Sequence, residues 1–485
     1  MGVLDGLNPE KVFEFFEEIS RIPRGSGNVK NISDYCVNFA KERNLKYIQD
    51  ESYNVIIMKP GNKCSADCEP VIIQGHLDMV CVKNQGCTKD MENEGIDLLV
   101  DGDYVKADNT TLGADDGIAV AYALALLDDN DYVHPPIEAV FTVDEETGMT
   151  GADNIDLSCL KGHMMLNIDS EEEGIFLSSC AGGATVRGEY PVKYDEEVSE
   201  DNADIKITVN NLTSGHSGTD IIFQRANAIN VTGRILFELS KNIDFRIVSI
   251  DGGEKDNSIP PFAETVIRLE SKADLTEFNR LFDDIKAVLI NEYRVTDKNM
   301  NIESTEVKVS GSSFDYISTS KVILALTHIE NGVIKMSNDI KGLVQTSLNL
   351  GVLKCENDSV VMTYLIRSSL DSEKEYLIDK IKDMTELIGG EFVVENRYPA
   401  WEYRENSHLR EVMAEEYRKL YKEEPKIEAI HAGVECGIMA SKIDNLDCVS
   451  FGPEILDIHT PKERMSISSV ERTWKLILNV LENLA

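Results

Sequence analysis

The feature that most constrains the fold is an alternation of short apolar runs with helical segments over residues 1–187. The run GIAVAYALALL at 117–127 is apolar on every side, as a buried helix would be. The other runs have the length of strands buried on both faces, and they occupy 54–59, 70–81, 137–143 and 163–170. Strands that alternate with helices predict an α/β layer with a mixed, largely parallel sheet flanked by helices.

The middle of the chain has a different pattern. ADIKITVN at 203–210 alternates apolar and polar residues, and the segment 275–290 has helical spacing, which is typical of an α+β domain with an exposed sheet face. The α/β pattern then returns, and the last helix is predicted to start at a capping box of Ser468 and Glu471. Because 485 residues exceed one ordinary core, we predict two domains. Residues 1–187 and 396–485 would form one catalytic domain, and residues 188–395 would form an inserted domain.

Composition excludes several classes of partner. The chain carries 48 basic and 86 acidic residues, a formal charge of −38, without a basic cluster, so a nucleic-acid backbone would be repelled. No apolar stretch approaches the roughly 18 residues of a membrane span, and the N-terminal residues lack the order of a signal peptide. The cysteines are scattered without a CxxC pair, as in reducing compartments. We therefore expect a cytoplasmic protein with no membrane partner.

Three consecutive acids follow one apolar run. In FTVDEETGMTGA, the strand-like residues lead directly into Asp144, Glu145 and Glu146. Neighbouring carboxylates repel each other, and a carboxylate that loses water needs a proton or a cation. Two interpretations stay open at this point: a solvated turn, or a site where one glutamate binds a metal and its neighbour transfers a proton.

A second apolar run, VIIQGHLDMV, ends in His76 and Asp78. Two-residue spacing places both side chains on one face of a strand. A carboxylate beside a histidine can fix its tautomer and orient it toward a metal. The alternative is a histidine whose hydrogen bonds are satisfied inside the core, and an HxD pattern alone does not decide between the two.

Further polar residues lie at comparable places. Asp115 and Asp116 open the apolar helix, where a helix N-terminus also favours acids without any metal. Asp169 and His459 each follow a strand-like run. Ligands bind beyond the carboxyl ends of parallel strands, so this shared placement predicts a metal centre. Imidazoles with carboxylates suit zinc, manganese or cobalt, and five ligands shared by two ions imply one bridging carboxylate.

A family resemblance rests on an ordered set of motifs. They are IPRGSGN, HLDMV, GADDG, EETGMTGA, NIDSEEEG, SGHSG, HAGVECG and DIHTP. In this order they resemble the M20 metallopeptidases, the di-zinc aminopeptidase and carboxypeptidase superfamily that contains glutamate carboxypeptidases, and in detail its aminoacyl-histidine (Xaa-His) dipeptidases. The resemblance covers almost the whole chain.

The resemblance implies a role for each predicted ligand. Asp115 would bridge two ions, His76 and Asp169 would bind one of them, and Glu146 and His459 the other. The cofactors would be two divalent ions per chain, with zinc expected and manganese or cobalt as alternatives.

The same resemblance separates the neighbouring acids. Asp78 would orient His76, and Glu145 would be the general base that takes a proton from the attacking water. Asp144 would have no role. Asp116 departs from the family, because relatives often carry asparagine there, and its role stays open.

The inserted domain is implied to be a lid that closes over the substrate. His216, in LTSGHSGTD, would stabilise the oxyanion of the tetrahedral intermediate, whereas from the residues alone an exposed histidine in a Gly/Ser turn is the simpler interpretation. Four residues resemble substrate-contacting positions: Asn257, Arg367, His431 and Glu435.

The predicted function is metal-dependent hydrolysis of dipeptides, including Xaa-His, so small peptides are the expected partners. The alternative is an amidase or deacylase acting on N-acyl amino acids with the same metal site. An inactive metal-binding protein is disfavoured because the base, Glu145, is present. The chain has no GxSxG for a serine hydrolase and neither GxxxxGK[ST] nor GxGxxG for nucleotides. The sequence leaves open whether the chain forms a homodimer.

Overall fold

The computed structural model describes residues 2–65, 68–195 and 199–485. Its α-helices, in chain order, are α1 (Glu10–Ser20), α2 (Lys30–Glu42), α3 (Ala114–Asp128), α4 (Thr150–Asn154), α5 (Ala228–Ser240), α6 (Leu275–Glu292), α7 (Tyr316–His328), α8 (Asp371–Leu387), α9 (His408–Tyr421), α10 (Glu435–Lys442) and α11 (Ile467–Asn483). Its strands are β1 (Lys46–Gln49), β2 (Val55–Lys59), β3 (Val71–His76), β4 (Leu98–Asp101), β5 (Tyr104–Ala107), β6 (Ile137–Thr142), β7 (Met164–Asn167), β8 (Ile175–Cys180), β9 (Gly182–Pro191), β10 (Tyr194–Asp195), β11 (Ala203–Asn210), β12 (Phe245–Gly252), β13 (Ala263–Leu269), β14 (Asn301–Val307), β15 (Ser313–Phe314), β16 (Gly332–Met336), β17 (Val344–Glu356), β18 (Ser359–Ser368), β19 (Glu391–Tyr398), β20 (Lys426–Ile430), β21 (Asp447–Ser450), β22 (Ile455–Leu456) and β23 (Arg464–Ser466).

The chain divides into two compact units. The first unit comprises Met1–Cys180, Tyr403–Ala429 and Val434–Ala485. It contains an eight-stranded sheet in the order β1-β2-β6-β3-β7-β21-β8-β20. The central strands β6, β3, β7 and β21 run parallel, and β1, β2 and β8 pair antiparallel at the sides. The predicted α/β class with a mixed, largely parallel sheet is confirmed.

Helix α3 is the centre of the first core. Its residues from Ala114 to Leu127 are buried, because an all-apolar helix must be covered on every side. Tyr122 on this helix stacks on Trp474 of α11, with ring centroids 5.8 Å apart, and its hydroxyl donates to the carbonyl of Val470 at 2.9 Å. The C-terminal helix is therefore part of the same core as the N-terminal strands.

The second unit comprises Ala181–Glu402 and Ile430–Gly433. Its nine-stranded sheet has the order β14-β11-β13-β12-β17-β18-β9-β19, with β16 also paired to β17. Every pairing of neighbouring strands in this sheet is antiparallel. Along β11 buried and half-buried residues alternate, as the sequence pattern of 203–210 predicted.

Two details differ from the predicted positions. The boundaries predicted after residues 187 and 395 fall inside β9 and β19, which belong to the second unit. The N-cap of α11 is Ser466, whose side chain accepts from the amide of Ser469. The capping box predicted at Ser468 is wrong, because Ser468 already lies inside α11.

No helix in the described ranges is long and apolar enough to cross a membrane.

Candidate metal centre

The predicted metal ligands lie at one edge of the first unit. His76 ends β3, Glu146 follows β6 and Asp169 follows β7. His459 comes after β21, and Asp115 is at the start of α3. Since the four strands are parallel neighbours, their carboxyl ends meet at this edge.

Two imidazoles face one shared carboxylate. His76 Nε2 lies 3.1 Å from Asp115 Oδ1 and 3.5 Å from Asp169 Oδ1. His459 Nε2 lies 3.0 Å from Asp115 Oδ2 and 2.9 Å from Glu146 Oε1. Each oxygen of Asp115 thus belongs to a different cluster of ligand atoms, which is the arrangement of a bridging carboxylate.

Three groups of described residues could each hold a metal ion, because their ligand atoms lie within 4.8 Å of one another. They are His76 with Asp116 and Asp169, His76 with Glu145 and Glu146, and Asp115 with Glu146 and His459. Together the groups contain each of the five predicted ligands, and they add Glu145 and Asp116.

Asp78 connects the histidine to the pair of glutamates. Its Oδ1 lies 3.4 Å from His76 Nδ1. The same carboxylate accepts the amides of Glu145 at 3.1 Å and Glu146 at 3.3 Å, and the Ser26 hydroxyl at 2.8 Å. Burial raises the pKa of Asp78, but its interactions with His76, Ser26 and the Glu145 amide outweigh burial and lower it below the usual value. The side chain is therefore held as an anion at the Nδ1 side of the imidazole.

The start of α3 is not helical. Gly113 has φ 68°, the backbone of Asp115 and Asp116 departs from helical angles, and the peptide bond between these aspartates is cis. Asp116 Oδ2 accepts the backbone amide of His76 at 3.1 Å. Burial raises the pKa of Asp116 well above its usual value, and the charge of Asp169 adds to the rise. The raised pKa favours the protonated, uncharged form of the Asp116 side chain.

The electrostatics of the centre favour cations. Burial lowers the pKa of His76, but Asp169 and Asp115 outweigh burial and raise it well above the usual value. Hydrogen bonds to Asp115 and Glu146 raise the pKa of His459 to about 10. The carboxylates therefore hold a positive charge at both imidazoles, and a divalent ion can replace each of those protons. Imidazole and carboxylate donors in two clusters with a shared aspartate fit a pair of divalent ions.

The neighbouring acids of the opening motif differ in environment. Burial raises the pKa of Glu145 well above its usual value, His76 opposes the rise, and Asp169 adds to it. Asp144 instead turns toward another loop and accepts the amide of Gly27 at 2.6 Å. Only Glu145 of these two lies among the metal-ligating groups.

In the second unit, His216 lies in a tight turn. Its Nδ1 accepts the amides of Gly218 at 3.3 Å and Thr219 at 3.2 Å. An Nδ1 that accepts carries no proton, so in the neutral ring the proton is on Nε2. Asn257 lies beside this turn, where its carbonyl accepts the amide of Ser217 at 2.9 Å.

Arg367 and His431 are both buried in the second unit. Arg367 donates to the Tyr398 hydroxyl at 2.7 Å, and His431 Nε2 lies 2.7 Å from Ser347 Oγ. Arg367 Nε and His431 Nδ1 have no hydrogen-bond partner within the described part of the chain. Burial, with Arg367 as a further cause, lowers the pKa of His431 to about 3 and also lowers the pKa of His216. Both rings are therefore neutral at pH 7.

Glu435, the fourth predicted substrate contact, belongs to the first unit. It is completely buried, and its Oε2 accepts from Gln74 of β3 at 2.6 Å and Thr142 of β6 at 2.7 Å. Its Oε1 has no partner among the residues that the structure describes. Burial raises the pKa of Glu435 to about 7, although His76 opposes the rise.

Two buried charged residues near the centre had no predicted role. Arg24 donates to the carbonyls of Leu77 and Asp78, and Glu463 accepts amides at the start of α3. Arg24 occurs in the motif IPRGSGN, and Glu463 follows the motif DIHTP by two residues. The sequence gives no further signal, because contacts with backbone atoms leave no pattern in the partner's residue types.

The fold and the site define a mixed α/β protein with a candidate metal centre at the carboxyl ends of its parallel strands. Residues 72–483 match the peptidase family M20/M25/M40, so the chain belongs to that family. The predicted family and the predicted class, an enzyme that hydrolyses peptide bonds, are confirmed.

The relatives include two of similar length. The chain is 34% identical over 485 residues to the cytosol non-specific dipeptidase of Escherichia coli (strain K12), covering 100% of this chain and 99% of that protein. Its fold matches the crystal structure of aminoacylhistidine dipeptidase from Vibrio alginolyticus with a TM-score of 0.95 and 34% identity, covering 99% and 98% of the two chains. Aminopeptidase PepT from Bacillus cereus shares the fold alone, with a TM-score of 0.57 and 16% identity.

Proposed function

We propose that the protein is a dipeptidase that uses two divalent metal ions and cleaves dipeptides, including Xaa-His. The observation that carries the proposal is the shared carboxylate of Asp115, whose two oxygens face His76 and His459 separately. The names of the full-length relatives, a non-specific dipeptidase and an aminoacylhistidine dipeptidase, support dipeptides as the substrate class. The cytosol name of the first also supports a cytoplasmic location.

The ligand assignment follows from the two clusters. His76, Asp169 and Asp115 would hold one ion, and His459, Glu146 and Asp115 the other, with zinc expected on both. When bound, the pair of ions would lower the pKa of a water molecule and polarise the scissile carbonyl.

Glu145 is proposed as the general base. Its carboxylate would accept the proton of the attacking water and then deliver it to the leaving amine. Buried surroundings raise its pKa well above the ordinary value of a glutamate, which suits a group that must both accept and donate a proton near neutral pH. Asp78 would keep the base in place, because it accepts the amides of Glu145 and Glu146.

His216 is proposed as the donor to the oxyanion. The turn holds its Nδ1 as an acceptor, so Nε2–H is free to donate to charge that develops on the carbonyl oxygen. Because the pKa of His216 is lowered, the ring is neutral at pH 7. The neutral ring still carries the proton on Nε2. The second unit would therefore act as a lid that brings its own donor to the substrate.

The buried pair in the second unit is proposed to bind the substrate carboxylate. Arg367 Nε and His431 Nδ1 are unpartnered atoms in the described structure, and a buried guanidinium binds a carboxylate with strong charge-assisted hydrogen bonds. Asn257 would contribute from beside the His216 turn, and Glu435 from the first unit.

Replacing His216 tests the oxyanion role. We expect His216→Ala to lower kcat by about 100-fold or more, because the donor acts mainly in the transition state. Metal content should not change, since the second unit supplies no ligand. The matched control is His328→Ala, which removes an exposed histidine of the same unit. An unchanged kcat in His216→Ala would end this assignment.

A mixing experiment identifies which chain supplies His216. His216→Ala and Glu145→Ala proteins are mixed under conditions where subunit exchange is proven. Recovered activity means that the donor comes from the other copy of a homodimer, and no recovery means that each chain uses its own.

Hydrolysis of a dipeptide panel tests the function. Purified protein should contain about two divalent ions per chain by elemental analysis, and it should cleave several dipeptides, Xaa-His among them. The panel includes an N-acyl amino acid, because the amidase or deacylase alternative uses the same centre. Preference for the N-acyl substrate over every dipeptide would replace the proposal with that alternative.

A further inference from the structure

The segment that carries Asp115 is held on one side by a single buried carboxylate. Glu463, 3% exposed, accepts the amides of Leu112 at 2.7 Å and Gly113 at 3.1 Å through Oε2. Its Oε1 accepts those of Ala114 at 2.8 Å and Asp115 at 3.4 Å. Consecutive amides directed at one anion form a concave anion-binding nest, so the carboxylate fixes the path of the backbone through this turn.

The same segment is held on its other side by a buried guanidinium. Arg24, 2% exposed, donates through Nη2 to the carbonyl of Gly113. Through Nη1 it donates to the carbonyls of Leu77 at 3.0 Å and Asp78 at 3.1 Å. One planar group therefore joins the end of β3 to the start of α3.

Gly113 is the residue that makes this approach possible. Its φ of 68° is disfavoured for residues with a side chain. A Cβ at this position would lie 2.7 Å from Arg24 Nη2 and 2.6 Å from Met79 Sδ. The turn is thus built so that a cation reaches the carbonyl side of Gly113 while Glu463 reaches its amide side.

We infer that Arg24 and Glu463 are positioning residues of the metal centre, holding Asp115 so that each of its oxygens faces a different imidazole. Arg24 ties the segment of His76 and Asp78 to the Asp115 turn, and Glu463 ties that turn to the segment four residues after His459. The pair spans three segments that carry ligands, although neither side chain is a ligand. This inference rests on the proposed metal centre.

A purely structural role is the competing explanation, since removing any buried hydrogen-bonded carboxylate destabilises a fold. The first unit offers a matched control. Glu138 is 5% exposed and accepts the amides of Lys161 at 3.0 Å and Gly162 at 3.0 Å. It is thus a buried carboxylate at the opposite end of β6, and its described hydrogen bonds go to the loop before β7 and not to the carboxyl ends of the strands where the predicted ligands lie.

The experiment compares Glu463→Gln with Glu138→Gln in the full-length protein, using Co²⁺ as the probe. Glutamine keeps the size of the side chain but directs an NH₂ group at amides that need an acceptor. Affinity is measured by chelator competition, geometry by the visible absorption of the Co²⁺-loaded protein, and stability by the Tm of the metal-free protein. We expect Glu463→Gln to bind Co²⁺ about 10- to 100-fold more weakly with an altered spectrum. Glu138→Gln should lower the Tm and keep the wild-type affinity and spectrum.

Two results would overturn the inference: wild-type Co²⁺ affinity and spectrum in Glu463→Gln, or an equal loss of affinity in Glu138→Gln. If Glu463→Gln does not fold, Arg24→Lys replaces it, with the same measurements and the same expected loss of Co²⁺ affinity. Lysine keeps the charge but lacks the planar fork that reaches both segments. Wild-type protein that binds Co²⁺ but cleaves no dipeptide contradicts the proposed function and leaves the inference standing. Wild-type protein that binds no Co²⁺ contradicts the metal centre and the inference together.

Discussion

Glu145→Gln is expected to lower kcat by about 1000-fold, within the range that general acid–base catalysis contributes. Glutamine has nearly the shape of glutamate but cannot accept the proton of the attacking water. We expect about two ions per chain to remain bound, because the five proposed ligands are intact. The measurement combines steady-state hydrolysis of a cleaved dipeptide with elemental analysis of the same sample.

Asp144→Asn is the matched control for this result. It removes one negative charge from the adjacent residue, and its amide oxygen can still accept the Gly27 amide that Asp144 accepts at 2.6 Å. We expect activity close to wild type. Loss of bound metal in Glu145→Gln would reassign Glu145 as a ligand and not the base.

Asp115→Ala is expected to remove both activity and metal. In the proposed assignment its carboxylate is shared by the two sites, with one oxygen 3.1 Å from His76 Nε2 and the other 3.0 Å from His459 Nε2, so its loss weakens both sites at once. Metal affinity should fall by more than about 100-fold, the upper cost of losing only a supporting residue. Elemental analysis after dialysis should find fewer than one ion per chain, with hydrolysis at background.

Glu146→Ala should show a milder form of the same defect, because in the proposed assignment Glu146 binds only one of the two ions. Glu172→Ala, which removes an exposed acid three residues after Asp169, controls for loss of negative charge near the site. Full metal occupancy in both Asp115→Ala and Glu146→Ala would refute the two-metal centre.

The parts of the fold that the sequence predicts best are those that appear as continuous apolar runs. The apolar runs at 137–143 and 163–170 contain β6 and β7, and the run at 117–127 is the buried body of α3. The predicted ligands lie at one edge of the sheet because parallel strands place their carboxyl ends together, whatever the sequence distance between His76 and His459.

Contacts made to the backbone could not be predicted. Ser466 and Ser468 are both good helix caps by type, and only the path of the backbone, which brings the amide of Ser469 to the Ser466 hydroxyl, decides that Ser466 is the cap. Arg24 and Glu463 bind carbonyls and amides that every residue possesses, so no partner residue identifies them. The change of unit between β8 and β9 is hidden for the same reason, since a strand in either unit has the same local pattern.

The turn that holds His216 has a consequence for how this protein can evolve. In many enzymes an acidic side chain fixes the tautomer of a catalytic histidine, and one substitution of that acid inverts it. Here two main-chain amides, those of Gly218 and Thr219, perform this task, and proline is the one substitution that deletes such an amide. The tautomer depends instead on the shape of the turn. A Cβ on Gly218 would disturb that shape, because it would lie 2.5 Å from the carbonyl oxygen of His431 and 3.0 Å from the His216 ring. Among descendants of this sequence, we therefore expect substitutions other than proline at position 219 to be tolerated and substitutions at position 218 to be eliminated by selection.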